Sequence, residues 1–312
     1  MISVIVPNYN HAPFLRERID SILNQTYANY EVIILDDKST DDSIKTIESY
    51  RGHPKISHIV YNKENSGSTF RQWQKGFNLA KGKYIWIAES DDVAESNFLE
   101  CMMNGILQTD NIVLAFSNLD LIDKNSNQIC NLRISTYQNK PIVEGNYFIR
   151  HNMLFGCNIL NASSAIFSKQ AALAVPNDYM SFRGAGDYLF WIEIARQGKV
   201  YKSRDILDHF RQHNQKVTPN SVASGLQFKE VHTIYKRLKQ LGYINRFNSI
   251  PVVGFWLHRI ESEKDKFTSN EIYKNCRNLW IKENPFPRLS KLVYLINGVY
   301  RTIMKKAFGY AR

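Results

Sequence analysis

The amino-acid sequence predicts an α/β fold in which a mostly parallel sheet is flanked by helices and followed by a C-terminal helical extension. Short apolar runs alternate with amphipathic stretches through the first half of the chain, and acidic pairs stand directly after two of those runs. From residue 223 onward the apolar residues recur at helical spacing instead. Alternation of strands and helices requires crossover connections, which produce parallel strands covered on both faces.

Five apolar runs in the first half are predicted to be strands. Continuous apolar runs are typical of strands that are buried on both faces. Pro13 stands near the start of the first helix, where proline is favoured, and Ser39 and Asp42 have the spacing of a capping box. The predicted strands are residues 2–7, 31–35, 56–61, 84–88 and 112–116, and two predicted helices are residues 70–80 and 98–107.

The remainder of the chain gives fewer signals. Residues 162–167 have the pattern of a strand, and residues 187–197 that of a helix. Gly242 stands where a C-cap glycine is expected after a helix. The apolar face of that helix is predicted to consist of Val231, Ile234, Tyr235, Leu238 and Leu241. We therefore divide the chain into a main domain at 1–220, with halves at 1–100 and 101–220, and a basic helical extension at 221–312.

The positive charge of the chain is confined to its C-terminal part. The 312 residues carry a net charge of +11. Residues 1–225 contain 23 basic and 23 acidic residues, whereas residues 226–312 contain 17 basic and 6 acidic residues. Such asymmetry favours an acidic partner: membrane lipid, nucleic acid or a phosphorylated acceptor. No nucleic-acid-binding pattern accompanies the charge, so we expect no nucleic acid partner.

The cysteines and the chain ends indicate an intracellular protein. The four cysteines are scattered and contain no C-x-x-C pair, which argues against a zinc site and a disulfide framework. No basic leader precedes the first strand, and no apolar run approaches the roughly 18 residues that span a bilayer. We therefore expect a cytoplasmic protein.

The first strand–helix turn excludes two common nucleotide-binding classes. It reads Pro7-Asn8-Tyr9-Asn10, where a dinucleotide enzyme has a glycine-rich G-x-G-x-x-G turn. No P-loop motif occurs anywhere in the chain. A nucleotidyltransferase, which needs a glycine-rich first loop with an arginine, is disfavoured for the same reason.

Two acidic motifs follow predicted strands, at the edge where open α/β sheets bind ligands. Asp36-Asp37 comes after the second strand, and an aspartate there can accept a hydrogen bond from an imide N–H such as that of uracil. The alternative is a helix N-cap. Glu89-Ser90-Asp91-Asp92 follows the fourth strand and suits a divalent cation, since Mg²⁺ and Mn²⁺ prefer oxygen ligands. The alternative is a solvated loop before the next helix.

Taken together in this order, these three segments resemble the family 2 glycosyltransferases, which have a Rossmann-like A-type glycosyltransferase fold. The intervening sequence strengthens the resemblance, which is dense over residues 1–100 and thinner to about residue 220. The supporting stretches are RIDSILNQTY at 18–27, Asn65-Ser66-Gly67, and AKGKYI at 80–85. The resemblance implies an inverting, metal-using enzyme with a nucleotide-sugar half at 1–100 and an acceptor half at 101–220.

The resemblance also implies roles for the residues of the nucleotide-sugar half. Tyr9 and Asp37 would hold the nucleobase, with Asp37 accepting from the N3–H of uracil or thymine. The donor pocket would further comprise Pro7, Asn8, Asn10, Asp36, Asn65, Ser66, Gly67 and Arg71. Asp91 would bind the ribose or the metal shell, and Asp92 would bind the Mn²⁺ or Mg²⁺ ion itself.

The catalytic base is implied farther along the chain. Relatives carry an acidic residue at the start of a helix about a hundred residues after the metal motif, and Asp187 fits, with Gly186 where many relatives have glutamate. A sugar hydroxyl needs a carboxylate to take its proton as it attacks the anomeric carbon. The alternative for Asp187 is a plain N-cap. Glu193, farther into the same helix, is more typical of a salt bridge.

Arg211-Gln212-His213 resembles an Arg-x-His motif that relatives carry after the last core strand. An arginine there suits a phosphate of the donor, and a histidine can complete the metal shell. The alternative is that both residues lie in a surface loop.

The last 25 residues predict an amphipathic helix with basic residues around an apolar stripe. Such a helix can lie on an anionic membrane, or it can pack on the main domain with its charges in water. The stripe consists of Leu289, Leu292, Val293, Ile296, Val299, Tyr300 and Ile303, and the basic residues are Arg288, Lys291, Arg301, Lys305, Lys306 and Arg312.

The sequence therefore predicts transfer of a sugar from a nucleotide-sugar, with UDP favoured by the resemblance, to a saccharide or lipid-linked saccharide. Peripheral contact with the inner face of the cell membrane would suit a lipid-linked acceptor of a surface polysaccharide. The alternative function is a catalytically inactive nucleotide-sugar-binding or scaffold protein of a polysaccharide pathway.

Overall fold

The structure is a computed structural model that describes residues 1–132, 140–213, 217–284 and 286–296, with the side chains of 217–219 excepted. One mixed sheet forms its centre, in the order β3-β2-β1-β4-β9-β6-β10-β5, with β7 beside β6 and β8 beside β10. The strands are β1 (Ile2–Asn8), β2 (Tyr30–Asp36), β3 (Ile56–Tyr61), β4 (Tyr84–Ile87), β5 (Val93–Ala94), β6 (Ile112–Ile122), β7 (Gln128–Leu132), β8 (Ile142–Glu144), β9 (Ala165–Ser168) and β10 (Lys199–Arg211).

The helices up to β10 lie between the strands, as the sequence predicts. Pro13 stands in the first turn of the first helix, whereas the predicted capping box is wrong, because the next helix begins at Ser43 without a side-chain cap. The helices are α1 (Ala12–Leu23), α2 (Ser43–Glu48), α3 (Thr69–Leu79), α4 (Phe98–Ile106), α5 (Gly145–Asn152), α6 (Lys169–Leu173) and α7 (Gly186–Ala195), with short 3₁₀ turns at Ala162–Ser164 and Asn177–Ser181.

Strands β3, β2, β1 and β4 are all parallel, in agreement with the prediction for the first half. In register, Val4 of β1 faces Val32 of β2, and Ile5 faces Ile87 of β4. Because neighbouring side chains on a strand point to opposite faces, both faces of this region are apolar and need helices to cover them.

The second half of the sheet mixes directions. β9 lies antiparallel to both β4 and β6 and therefore joins the two halves. β10 runs parallel to β6 but antiparallel to the short strands β5 and β8. Its long path carries its last residues, up to Arg211, to the edge where β1, β2 and β4 end.

Two apolar cores cover the two faces of the sheet. One core contains α1 and α4, represented by Ile19 and Met102. The other contains α3, α5 and α7 together with the C-terminal helices, represented by Trp73, Trp191 and Trp256. Helix α7 is apolar around its circumference and almost fully buried, as expected for a helix enclosed between layers.

The C-terminal part is helical, as predicted. Its helices are α8 (Val217–Ala223), α9 (Leu226–Gln240), α10 (Ser249–Ser262) and α11 (Asn270–Ile281), with a 3₁₀ turn at Lys264–Lys266. Val231, Ile234, Tyr235 and Leu238 of α9 are buried, and Gly242 follows the helix with a φ of +75°. The extension therefore shares its core with the main domain, although the predicted boundary at residue 220 stays a prediction.

A last helical stretch at 287–296 packs on α10 through one face. Ser290 is buried, and its backbone passes so close to Gly254 that a Cβ there would lie 2.0 Å from the Ser290 carbonyl oxygen. The opposite face is exposed and apolar, with Leu289, Leu292 and Leu295 at about half of their full accessibility. The predicted stripe residues Val299, Tyr300 and Ile303 and the basic residues from Arg301 onward lie outside the described residues.

Within the described ranges, no helix combines the length and the apolar character that crossing a bilayer requires.

Candidate active site

A cavity of about 700 Å³ opens at the edge where β1, β2 and β4 end. This is the edge at which open α/β sheets bind ligands, because strand ends and loops converge there. The loops after the three strands and the ends of β10 and of the 161–164 segment form its wall. Its lining includes Pro7, Asn8, Tyr9, Asn10, His11, Asp37, Asn65, Gly67, Phe70, Gln72, Glu89, Ser90, Asp91, Asp92, Asn161, Arg183, Phe210 and His213.

Asp37 lies at one end of this cavity and is 5% exposed. Its Oδ1 accepts hydrogen bonds from Asn62 Nδ2 at 2.6 Å, the Ser66 amide at 2.8 Å and Gln72 Nε2 at 2.9 Å. Its Oδ2 accepts one hydrogen bond, from Ser66 Oγ at 2.8 Å. A carboxylate oxygen has two lone pairs, so Oδ2 retains an acceptor position for a ligand N–H. The N-cap alternative is excluded, since α2 begins six residues later.

The Pro7–Asn10 turn is shaped by hydrogen bonds to the loop after β2. Asn10 adopts a φ of +57°, its amide donates to Ser39 Oγ at 3.0 Å, and its Oδ1 accepts from the Thr40 amide at 2.7 Å. Asparagine tolerates this left-handed backbone better than most residues. Tyr9 is thereby placed at the mouth of the cavity with 47% of its surface exposed, available for stacking on a planar ligand.

Three predicted donor residues support the cavity without lining it. Asp36 is fully buried and accepts from Asn8 Nδ2 at 2.8 Å and from the Ser39 amide at 2.9 Å. The backbone amide and the hydroxyl group of Ser66 both donate to Asp37. Arg71 is exposed and donates to the Ser66 carbonyl oxygen at 3.2 Å. These contacts hold the loops around Asp37 in shape, and the predicted contact of the three residues with a donor stays a prediction.

Asp92 is buried in the wall of the cavity, and both of its carboxylate oxygens accept hydrogen bonds. Its Oδ2 accepts from Asn161 Nδ2 and Ser163 Oγ, both at 2.7 Å, and its Oδ1 accepts from the Arg211 amide at 3.1 Å. Burial, with Asp91 adding to it, raises the pKa of Asp92 to about 6. The solvated-loop alternative is therefore excluded for this residue, and Asp92 ties the loop after β4 to β9 and β10.

Asp91, in contrast, lies close to two histidines. Its Oδ2 lies 2.8 Å from His213 Nε2. One ligand atom from each of Asp91, His213 and His11 lies within 4.8 Å of the others, a spacing that could hold one metal ion. His11 also lies 2.8 Å from Ser90 Oγ through its Nδ1. Aromatic packing of His213 on the rings of Phe14 and His11 orients the two imidazoles.

Arg211, the last residue of β10, lies inside the protein. It is fully buried, and its guanidinium donates to the Asp91 carbonyl oxygen at 2.7 Å, Ser126 Oγ at 2.9 Å and Glu17 Oε2 at 2.5 Å. Its NH groups are thus already committed, and it packs over the Phe14 ring at 5.0 Å. Arg211 therefore fixes the backbone of the Asp91 loop and does not line the cavity, and its predicted contact with a donor phosphate stays a prediction.

A second buried arginine lies beneath the acidic loop. Arg18 of α1 is fully buried, lies 4.9 Å from the Trp86 ring centroid, and has no hydrogen-bond partner among the described residues. Burial lowers the pKa of Arg18, and the charges of Asp208, Asp92, Asp91 and Glu89 oppose that effect. Burial likewise raises the pKa of Asp208, whose Oδ2 accepts from Asn161 at 3.3 Å. Arg18 is therefore the central cation of a buried acidic cluster.

Glu89 is a further carboxylate in the cavity wall. Trp73 Nε1 donates to its Oε1 at 3.0 Å. Burial and the neighbouring charge of Asp91 raise the pKa of Glu89 to about 8. The pKa values of Asp92 and Glu89 are therefore both raised in the same cleft, which is typical of functional sites.

Asp187 lies in the first turn of α7, which begins one residue earlier, so it is not the N-cap of that helix. Its Oδ1 accepts from the Tyr188 amide at 2.8 Å, and burial raises its pKa to about 6. Asp187 does not itself line the 700 Å³ cavity, but Arg183, four residues before it, does. Glu193 of the same helix pairs with Arg196 at 2.5 Å and Arg237 at 3.0 Å, the salt-bridge role that the sequence indicates.

Comparison with protein families identifies the chain. A family model described as glycosyl transferase family 2 matches residues 3–162, about half of the chain. The chain belongs to the family 2 glycosyl transferases. The resemblance inferred from the motifs in residues 1–100 is thereby confirmed.

Similar sequences carry related descriptions. A protein of Rickettsia prowazekii described as an uncharacterized glycosyltransferase is 29% identical over 220 residues, which cover 70% of this chain and 66% of that protein. The chain thus spans just under two thirds of the length of that relative. The glycosyltransferase GlyG of Streptococcus pneumoniae is 35% identical over 127 residues, covering 40% of this chain and 42% of GlyG.

Similar structures share the fold. The S. aureus protein TarS, residues 1–349 in complex with UDP-GlcNAc, matches with a TM-score of 0.71 and 18% identity, covering all of this chain and 93% of the TarS chain. The mannosyltransferase PcManGT from Pyrobaculum calidifontis, in complex with GDP-Man and Mn²⁺, matches with a TM-score of 0.53 and 15% identity, covering 94% of this chain and 86% of that chain. The predicted fold class is confirmed.

Two residues of the site, His11 and Arg18, escape prediction from the sequence. His11 follows directly on the Pro7–Asn10 turn, so its position next to a strand end is the signal that could have found it. Arg18 sits on the buried face of α1, one residue from Ile19. A basic residue within the apolar face of a helix indicates that buried acidic groups lie nearby, for which it is the counter-ion.

The Arg18→Met variant tests the role of this buried cation. We expect it to lower the free energy of unfolding by about 3–5 kcal/mol, because removing one partner leaves buried carboxylates without compensation. Urea denaturation measures the change, with Arg16→Met as the control at an exposed position of the same helix. Equal stability of the two variants would contradict the role of Arg18 as the counter-ion.

Proposed function

We propose that this chain transfers a sugar from a nucleotide-sugar, with UDP as the nucleotide, to a hydroxyl group of a saccharide or lipid-linked saccharide. The observation that carries the proposal is the cavity at the strand ends, where Asp37 stands at one end and Asp91 with two histidines stands at the other. A nucleotide-sugar has the matching order: a base with an imide N–H, a ribose, and a diphosphate that binds a cation.

The nucleobase end is formed by Asp37 and Tyr9. Asp37 Oδ2 would accept the N3–H of uracil with the acceptor position that Ser66 leaves, and Tyr9 would stack on the ring. Asn8, Asn10, Asn65 and Gly67 line the same part of the cavity and limit its width. Neither cytosine nor adenine carries an N–H at the corresponding ring position, so this arrangement favours uracil or thymine over those two bases.

The cation end fits a divalent metal through Asp91, His213 and His11. One carboxylate and two imidazoles are a mixed donor set, which suits Mn²⁺ better than Mg²⁺, since Mg²⁺ prefers oxygen ligands and near-ideal octahedral geometry. Asp92 acts here as a positioning residue for Asp91. The ligand role predicted for Asp92 stays a prediction, since its Oδ1 accepts one hydrogen bond, from the Arg211 amide, and keeps a second lone pair. A bound cation would neutralise the charge that develops on the departing diphosphate.

Asp187 is the proposed general base. The acceptor oxygen forms a bond to the anomeric carbon, the bond from that carbon to the diphosphate oxygen breaks, and Asp187 takes the hydroxyl proton. The nucleoside diphosphate leaves with the electron pair. A single displacement of this kind inverts the anomeric carbon. Burial supports the assignment because a carboxylate with a raised pKa is a stronger base.

Calorimetric titration with UDP, dTDP and GDP, each with Mn²⁺ or with EDTA, tests the donor site. We expect UDP to bind only with Mn²⁺. Asp91→Asn should abolish the metal-dependent binding, whereas Asp92→Asn should weaken it about 10–100-fold, as loss of a residue that supports a ligand does. Asp110→Asn, at an exposed site before β6, is the control. Absence of binding by all three nucleotides would favour the alternative, an inactive scaffold protein of a polysaccharide pathway.

The pH dependence of kcat/KM tests the base. Asp187 must be ionised to accept a proton, so kcat/KM should fall about tenfold per pH unit below pH 6 and level off above it. Asp187→Asn should lower turnover by about 10²–10⁴-fold and leave UDP affinity intact. Because the pKa of Asp92 is also about 6, UDP binding must be measured over the same pH range. Near-normal turnover by Asp187→Asn would refute the assignment.

We further propose that the chain works at the cytoplasmic face of a membrane, which it contacts through the exposed face of the 287–296 helix. Phe286 is 65% exposed, Leu292 53% and Ile296 56%, and they form one apolar surface with Leu289 and Leu295. The net positive charge of residues 226–312 complements anionic lipid. A surface helix with an apolar face and basic flanks is suited to the membrane interface.

Vesicle sedimentation tests this contact. Wild-type protein should bind phosphatidylglycerol vesicles more strongly than phosphatidylcholine vesicles. The double variant Leu292→Ser/Leu295→Ser should lose most of that binding, because it removes two apolar side chains that insert into the membrane interface. Leu107→Ser, at an exposed leucine after α4, is the matched control. Equal binding by the double variant and the wild type would refute the contact.

A further inference from the structure

One carboxylate of the C-terminal extension holds the loop that leads to Asp187. Glu230 of α9 is 8% exposed. Its Oε1 accepts from the Arg183 amide at 2.7 Å, and its Oε2 accepts from the Gly184 amide at 2.9 Å and the Ala185 amide at 2.8 Å. Three successive backbone N–H groups therefore converge on one side chain.

This arrangement depends on charge as well as on shape. Backbone N–H groups only donate, and an ionised carboxylate only accepts, so the three hydrogen bonds are charge-assisted. A glutamine side chain at this position would turn its NH₂ group toward at least one of the three backbone N–H groups. The site thus selects a carboxylate over its isosteric neutral analogue.

The loop would otherwise have considerable freedom. Gly184 and Gly186 flank Ala185, and glycine loses more backbone freedom on ordering than any other residue. Helix α7 after the loop is fixed independently, because Glu193 pairs with Arg237 of α9 at 3.0 Å. Glu230 therefore ties down the backbone of the segment between the 3₁₀ turn at Asn177–Ser181 and α7.

The positions of Arg183 and of Asp187, the proposed base, both depend on this segment. Arg183 lines the cavity, and Asp187 follows Ala185 by two residues. A displacement of the segment would shift both groups relative to the nucleotide end, which is built on β1 and β2. Misplacement by about 1 Å can lower a rate about 100-fold.

We propose that Glu230 is a positioning residue that fixes the approach of Asp187 to the acceptor hydroxyl. This inference rests on the proposed function, because it takes Asp187 to be the general base. It makes the helical extension, which lies outside the family match at residues 3–162, a working part of the active site.

The isosteric variant Glu230→Gln tests the proposal, with Glu283→Gln as the control. Glu283 is a partly buried carboxylate of the same extension that pairs with His232 at 2.9 Å. Hydrogen exchange of the Arg183, Gly184 and Ala185 amides should accelerate in Glu230→Gln and stay unchanged in Glu283→Gln. Turnover of UDP-sugars, followed as released UDP, should fall about 100-fold. Affinity for UDP with Mn²⁺ should change by less than about twofold, since the lost interaction acts on the transition state.

A double-mutant cycle separates positioning from general destabilisation. If Glu230 acts through Asp187, then Glu230→Gln should cost little further turnover in the Asp187→Asn background. Unchanged exchange of the loop amides, full activity of Glu230→Gln, loss of UDP binding, or an additive loss in the double variant would each overturn the proposal. Near-normal turnover by Asp187→Asn would refute the assignment of Asp187 as the base. An active Glu230→Gln together with an inactive Asp187→Asn would instead refute only the positioning role of Glu230.

Discussion

The architecture of the site depends on keeping Asp92 inside the protein. Its two carboxylate oxygens accept hydrogen bonds from Asn161, Ser163 and the Arg211 amide, so one side chain joins the loop after β4 to two segments that follow it by 69 to 119 residues. Burying a charge is costly unless it is compensated by hydrogen bonds and opposite charge. The three donors and the Arg18 guanidinium supply that compensation, and Asp91 gains its orientation as a result.

Much of the first half could be predicted, because its signals are local. Continuous apolar runs identify buried parallel strands, and strand ends identify the ligand edge, so the positions of Asp37 and Asp91 in the cavity follow from sequence. Pairing across the sheet has no local signal. The insertion of β9 between β4 and β6 and the return of β10 to the active edge were therefore not foreseeable.

The direction in which a side chain points cannot be predicted from the sequence. A sequence shows that an arginine follows a strand, but not which way its guanidinium turns, and Arg211 turns inward to Glu17 and the Asp91 backbone. The same applies to Asp36, which turns toward Asn8 and Ser39. His11 was overlooked because its partners Asp91 and His213 lie 80 and 202 positions away along the chain. Three-dimensional proximity of such distant residues is a property of the fold.

The central position of β9 constrains the order in which this chain can fold. While the nascent chain is shorter than about 165 residues, β4 and β6 each present an unpaired edge, because the strand that joins them has not yet been made. Exposed edges of this kind invite pairing with other chains. Sheet closure must also wait for contacts between distant segments, which form slowly. The region matched by the family model, which ends at residue 162, therefore lacks the strand that joins the two halves of the sheet and is not by itself a closed folding unit.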